Sequence, residues 1–162
     1  LIYGPAIKSY MMGEAPPAFD LLYWNGDGTN LPCKMAIEYL RGLCQDDGLA
    51  LGTYKVFGHN VSLQDIQIPV CAIACETDHI AHWRGSFNGF KQMGSADKTF
   101  IVSQSGHIAG IINPPSKGKY GHYTNAGPIA GAPDDWMASA SFNQGSWWPR
   151  WGAWRSAFCL RC

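Results

Sequence analysis

The sequence predicts an α/β fold built on a parallel sheet, and three features carry that prediction. Val70-Cys71-Ala72-Ile73-Ala74 is a continuous run of small and β-branched residues, the composition of a strand covered on both faces. A weakly amphipathic stretch follows from Trp83 to Met93, with Gly94 as its stop, and reads as a helix. The segment "KTFIVS", Lys98 to Ser103, then reads as a second strand. Strand, helix, strand in that order is the parallel β-α-β unit.

The rest of the chain is read around this unit. Residues 1–18 are irregular, broken by Gly13 and Pro16-Pro17. "FDLLYWNGDGTNLP" combines an aromatic patch with a turn, and Pro32 suits the first turn of a helix over "CKMAIEYLRGLCQDDG", with Gly48 as its stop. A polar connection leads to the strand at Val70. Beyond the second strand, Pro114-Pro115 close the unit, and Asp134 to Asn143 read as a surface helix. The tail "GSWWPRWGAWRSAF" holds four of the seven tryptophans. Packing against the body of the domain is expected of them, rather than a grip on an external surface.

At 162 residues and 46% hydrophobic, the chain can bury a real core. It opens on Leu1 in mid-pattern and reads as a piece of a longer protein. Charged residues are only 15% and the formal net charge is zero, with no basic stripe, so nucleic acid is not an expected partner. No apolar run approaches the ~20 residues of a membrane span, and no signal peptide opens the chain. Without a secretory signal, Cys33, Cys44, Cys71, Cys75, Cys159 and Cys162 are expected to be reduced, with Cys71 and Cys75 as small buried thiols. No metal site is expected. His79 and His82 with Cys159 and Cys162 have ligand-like spacing, but the second pair stands at the far end of the chain.

Asp78 and His107 each fall a few residues beyond a strand of the β-α-β unit, where open parallel sheets gather reactive groups. Neighbouring strands would bring their ends to about 5 Å. The carboxylate could then fix the imidazole tautomer, giving the acid and base of a nucleophile–acid–base triad in the chain order of α/β-hydrolases. Read singly, Asp78 suits a helix cap and His107 an exposed loop. Neither G-x-S-x-G nor G-x-C-x-G occurs in the chain, so the nucleophile is expected upstream of it.

Several motifs, "FDLLYWNGDGTNLP", "ETDHIAHW", "SGHIAGIINPP", "HYTN" and "GSWWPRW", stand in one order from Phe19 to Trp154. Together they resemble the C-terminal half of the catalytic domain of a polyhydroxyalkanoate synthase, most closely of class I. The resemblance implies an α/β-hydrolase fold, with residues 1–50 in the cap region and 51–162 in the C-terminal part of the core. It implies an acyltransferase that polymerises (R)-3-hydroxyacyl-CoA into a polyester through a Cys–His–Asp triad. CoA is released as part of the substrate, and no cofactor is needed. Asp78 would be the triad acid and His107 its base, with the cysteine outside this chain. His79, Trp83, Tyr23, Trp24, Asn25 and Ile108 would line the substrate site or support it. The cap would pair two subunits, and the enzyme would work in the cytoplasm at the surface of polymer granules. Ala81 and His82 depart from the family pattern of a bulkier aliphatic residue and a proline, and His82 is expected to loosen the start of the helix. Two other readings remain: an esterase or depolymerase of the same fold with an upstream serine, and a non-catalytic granule-associated homologue.

Overall fold

The computed structural model describes residues 7–15 and 26–159, together with Gly4. The chain divides into two compact units, Leu1–Glu38 and Tyr39–Cys162. In the first, Ile7–Met11 form a π-helical turn where an irregular chain was expected, and α1 spans Cys33–Glu38. The second opens with a π-helical stretch, Tyr39–Gln45.

Gly48 does not stop a helix but starts the short α2, Gly48–Leu51. The reason is steric: a Cβ on Gly48 would lie 2.7 Å from the carbonyl oxygen of Gly42. The stop is Gly52, whose φ of 68° lets its N–H reach back to the carbonyls of Gly48 and Leu49. The expected polar connection contains a hairpin, β1 (Tyr54–Val56) and β2 (His59–Val61), paired antiparallel. Its two turn residues, Phe57 and Gly58, both have positive φ, which such two-residue turns require.

The main sheet has the order β3-β4-β5-β6. β3 (Val70–Cys75) and β4 (Lys98–Ser103) pair parallel, in register from Val70 with Lys98 to Cys75 with Ser103. α3 (Trp83–Lys91) connects them. The β-α-β unit therefore stands where the sequence places it. β5 (His122–Thr124) and β6 (Ser141–Asn143) add antiparallel, so the sheet is mixed and only its β3–β4 pair is parallel. The expected helix from Asp134 to Asn143 is two elements: α4 (Pro133–Ala138), then β6. Ser139 ends the helix at φ −97°, ψ 0°. The Asn143 side chain then binds the Thr124 hydroxyl and the His122 carbonyl across the ladder.

One face of the sheet carries the core. α3 contributes Trp83, Phe87 and Phe90, spaced to share a face, and these meet Phe100 and Val102 of β4 and Trp136 of α4. Phe100 lies edge-on to both Phe87 and Trp136, with ring centroids 5.3 Å apart in each pair, an arrangement the ring quadrupoles favour. Ile101 and Ser103 alternate to the opposite face and are fully buried. There the Ser103 hydroxyl and the Trp147 indole N–H both donate to the Gly110 carbonyl, at 2.8 and 2.9 Å. α5 (Trp148–Cys159) follows, and the Trp148 indole N–H donates to the Ile111 carbonyl. Trp147 is thus buried, as packing requires, whereas Trp148 and Trp151 stay more than a third exposed. β3 is less covered than its composition suggests. Ala74 and Cys75 are buried but Val70–Ile73 are half-buried, because β3 is the outer strand of the described sheet.

Candidate active site

The two strands that hold the candidate pair are joined beyond their ends. Past Cys75 the Glu76 N–H donates to the Ser103 carbonyl at 2.8 Å, and the Thr77 N–H to the Ser105 carbonyl at 3.2 Å. This extension of the ladder draws the post-β3 and post-β4 loops together. Asp78 comes next and is 8% exposed. Its Oδ1 accepts the backbone N–H groups of Ile80 and Ala81 at 2.9 and 3.1 Å. Those two bonds hold its carboxyl below the usual carboxylate range, helped by the nearby His107 and His79. Asp78 therefore caps the turn ahead of α3 and not the helix itself, whose N-cap is His82. His82 has φ −54°, within the range a proline would impose.

On the other loop, Ser105 adopts φ 75°, a left-handed conformation that costs an L-residue of this kind about 1–2 kcal/mol. Strain of this sort gathers at functional sites. Gly106 follows, and the turn carrying His107 closes with Gly110 N–H to the Gly106 carbonyl and Ile112 N–H to the Ile108 carbonyl, both 2.8 Å. Gly110 is packed so closely that a Cβ would stand 2.7 Å from both the Cys75 sulfur and the Gln104 carbonyl oxygen. Gly110→Ala is expected to lower stability by about 1–3 kcal/mol or more. Urea unfolding would measure it, and a loss under half a kcal/mol would contradict the packing described.

These loops bring His107 Nδ1 to 3.4 Å from Asp78 Oδ1. The contact is an ion-pair distance, not an aligned hydrogen bond, and Nδ1 is buried without a hydrogen-bond partner. The His107 side chain as a whole is 38% exposed, so the ring can be reached from outside. His79 is exposed, its ring centroid 5.4 Å from that of His107. Among the described residues, the donor atoms of Asp78, His79 and His107 all lie within 4.8 Å of one another.

The other sequence candidates fall elsewhere. Trp83 belongs to the core cluster. Ile108 is exposed and lines a cavity of about 390 Å³ with Ile112, Lys117, Lys119 and Tyr120. Tyr23, Trp24, Asn25 and Cys162 lie outside the described residues.

Sequence reading missed the supports. Buried Asn113 donates to the Lys119 and Tyr120 carbonyls, and Gln104 exchanges two bonds with Gly121. Only the Asn-Pro-Pro run at 113–115 hinted at the first.

Neither Cys44 nor the cysteines of β3 supply the nucleophile of such a triad. Gly42-Leu43-Cys44 carries half of an elbow motif, but Asp46 stands where the second glycine would be, and the segment is π-helical. Burial pushes the Cys71 thiol up to about 11, against the pull of Arg150. The Cys75 thiol is raised by burial and by the Asp78 carboxylate. Both are then neutral and unreactive near pH 7. In a limited alkylation with iodoacetamide read by peptide mass spectrometry, the exposed Cys33 and Cys44 should label well before Cys71 and Cys75. Labelling of Cys71 at the same rate would refute its protection.

No protein-family model matches the chain. It is 40% identical over 154 residues to the poly(3-hydroxyalkanoate) polymerase subunit PhaC of Rhizobium meliloti, covering 95% of this chain and 25% of that protein. It is 39% identical over 155 residues to the poly(3-hydroxyalkanoate) polymerase of Methylorubrum extorquens, and 38% identical over 155 residues to the PhaC subunit of Cupriavidus necator. In both, 95% of this chain is covered, with 25% and 26% of the relative. The chain is therefore homologous to a segment of the poly(3-hydroxyalkanoate) polymerases and spans about a quarter of their length.

Proposed function

We propose that this chain supplies the acid and base of a Cys–His–Asp triad in an acyltransferase that polymerises (R)-3-hydroxyacyl-CoA. The observation that carries the reading is the convergence of Asp78 and His107, 3.4 Å apart, just past the carboxyl ends of two adjacent parallel strands. The homologous polymerases support the substrate class. On this reading the mixed sheet is the C-terminal part of an α/β-hydrolase core over residues 51–162. Residues 1–50 belong to the cap, which pairs two subunits, and the enzyme works at the surface of cytoplasmic polymer granules. No helix among the described residues is long and apolar enough to cross a membrane.

The chemistry follows from the placement. Asp78 faces Nδ1, which leaves Nε2 of His107 for the reacting groups. Nε2 takes the proton of a cysteine thiol supplied by the rest of the polypeptide, and the thiolate attacks the thioester carbonyl. The CoA sulfur departs with that proton, leaving an acyl-cysteine. His107 then takes the proton of an incoming hydroxyl, whose oxygen attacks the acyl group and releases the cysteine sulfur. His107 is the base in both halves. Asp78 is nearly buried, and its Oδ1 is already engaged by two backbone N–H groups, whereas the imidazole is reachable. The long Nδ1 contact would tighten as positive charge forms on the ring, as catalytic hydrogen bonds often do only in the working complex.

A chimera tests this directly. The matching segment of the Rhizobium meliloti polymerase is replaced by this chain, and CoA release from (R)-3-hydroxybutyryl-CoA is followed with a thiol reagent. Turnover with polymer formation is expected, and background rates from this chain alone. A folded, inactive chimera would overturn the proposal. An authentic upstream sequence with G-x-S-x-G in place of G-x-C-x-G would instead make the protein an esterase or depolymerase.

A further inference from the structure

We propose that Asp78, His79 and His107 form a binding site for a borderline divalent transition metal, Zn²⁺ in the first place, seated on the Nδ1 side of His107. Two imidazoles and one carboxylate are a donor set that suits zinc and its first-row neighbours, whereas magnesium and calcium prefer oxygen ligands. The geometry is nearly in place. Around zinc at 2.0–2.1 Å, tetrahedral donor atoms stand about 3.3 Å apart, and His107 Nδ1 and Asp78 Oδ1 already stand 3.4 Å apart. All three donor atoms lie within 4.8 Å, so only the third has to close in. That third residue, His79, is exposed and next in sequence to Asp78, free to turn its ring the remaining distance.

The state of His107 favours the same partner. Its Nδ1 is buried but engages no hydrogen-bond partner, a costly condition for a polar atom. A metal ion would take up the lone pair that the neutral Nε2–H tautomer presents there. Asp78 is held in one orientation by the Ile80 and Ala81 N–H groups, the outer support that metal-bound carboxylates commonly have. Three protein ligands leave a fourth position open, to water or to a thiolate.

Binding itself does not depend on the proposed catalytic role; its consequence does. Metal on Nδ1 displaces the proton through which Asp78 steadies the imidazolium, so the occupied site would stall a triad that uses His107 as base.

The test uses the whole chain with Cys33 and Cys44, the exposed thiols among the described residues, and the terminal Cys159 and Cys162 all changed to serine. Zn²⁺ binding is measured by calorimetry, and Co²⁺ serves as the spectroscopic stand-in. We expect saturable binding of one ion and visible ligand-field bands, with no sulfur-to-cobalt charge-transfer band. Magnesium should not compete. His79→Ala, at an exposed position that does not threaten the fold, should weaken binding tenfold or more, and His107→Ala at least as much. Unchanged affinity in His79→Ala would overturn the proposal. So would a thiolate-type cobalt spectrum, or no saturable uptake in the submillimolar range. None of these readings requires catalysis, so their failure is separable from failure of the chimera.

Discussion

Changing His107 to alanine in the chimera should lower the rate of CoA release by three orders of magnitude or more and leave thermal stability nearly unchanged. A positioned general base is worth about 10²–10⁴-fold, and loss of a residue that works as part of a triad reaches the upper end of that range or beyond. The stability side follows from the surroundings of the ring. It is more than a third exposed, and its contact with Asp78 is not an aligned hydrogen bond. Asp78 keeps its two backbone N–H partners when the imidazole is gone. Asp78→Asn should reduce the rate less, because the amide can still accept those N–H bonds but no longer offers charge to an imidazolium. A His107→Ala chimera with half the parental rate would remove the histidine from the chemistry altogether.

The second large effect concerns the core. Phe100→Ala should cost about 3–5 kcal/mol, the usual toll of emptying an aromatic site. Phe100 is 1% exposed, and its ring lies 5.3–5.6 Å from those of Phe87, Phe90 and Trp136. It sits on β4, between the strand that leads to Asp78 and the helix packed above. A domain holds about 5–15 kcal/mol in total, so the variant should unfold at markedly lower urea or be largely unfolded at rest. Phe100→Leu keeps most of the volume and should cost no more than about 1.5 kcal/mol. Equal losses for the two would show that the ring-edge contacts, and not the cavity, dominate.

The legible parts of the fold were those whose signal is local. β3, α3 and β4 each carry a long, unbroken pattern, and a buried aromatic helix between two apolar runs leaves little choice of topology. β5 and β6 have three residues each, too short for an alternation to stand out, and their pairing is fixed by Asn143 and by Phe142 against Tyr123. The β1–β2 turn was hidden because Phe57 occupies a position where asparagine or glycine would have announced it. At the candidate site, the approach of Asp78 to His107 could be anticipated from the strand ends alone. The left-handed Ser105, the crowding at Gly110 and the anchoring by Asn113 could not, since each exists only once distant segments have met.

The carbonyl oxygen of Gly110 receives a hydroxyl from β4 and an indole from the residue before α5. This shared acceptor gives the tryptophan-rich tail a hold on the turn that carries His107, while Asp78 is steered from its own loop by the run out of β3. The His107 turn thus answers to the tail as well as to the Thr77–Ser105 bond that ties it to the Asp78 loop. A displacement of the tail would pull first on the imidazole and reach the carboxylate only through that bond, changing their separation without touching either side chain.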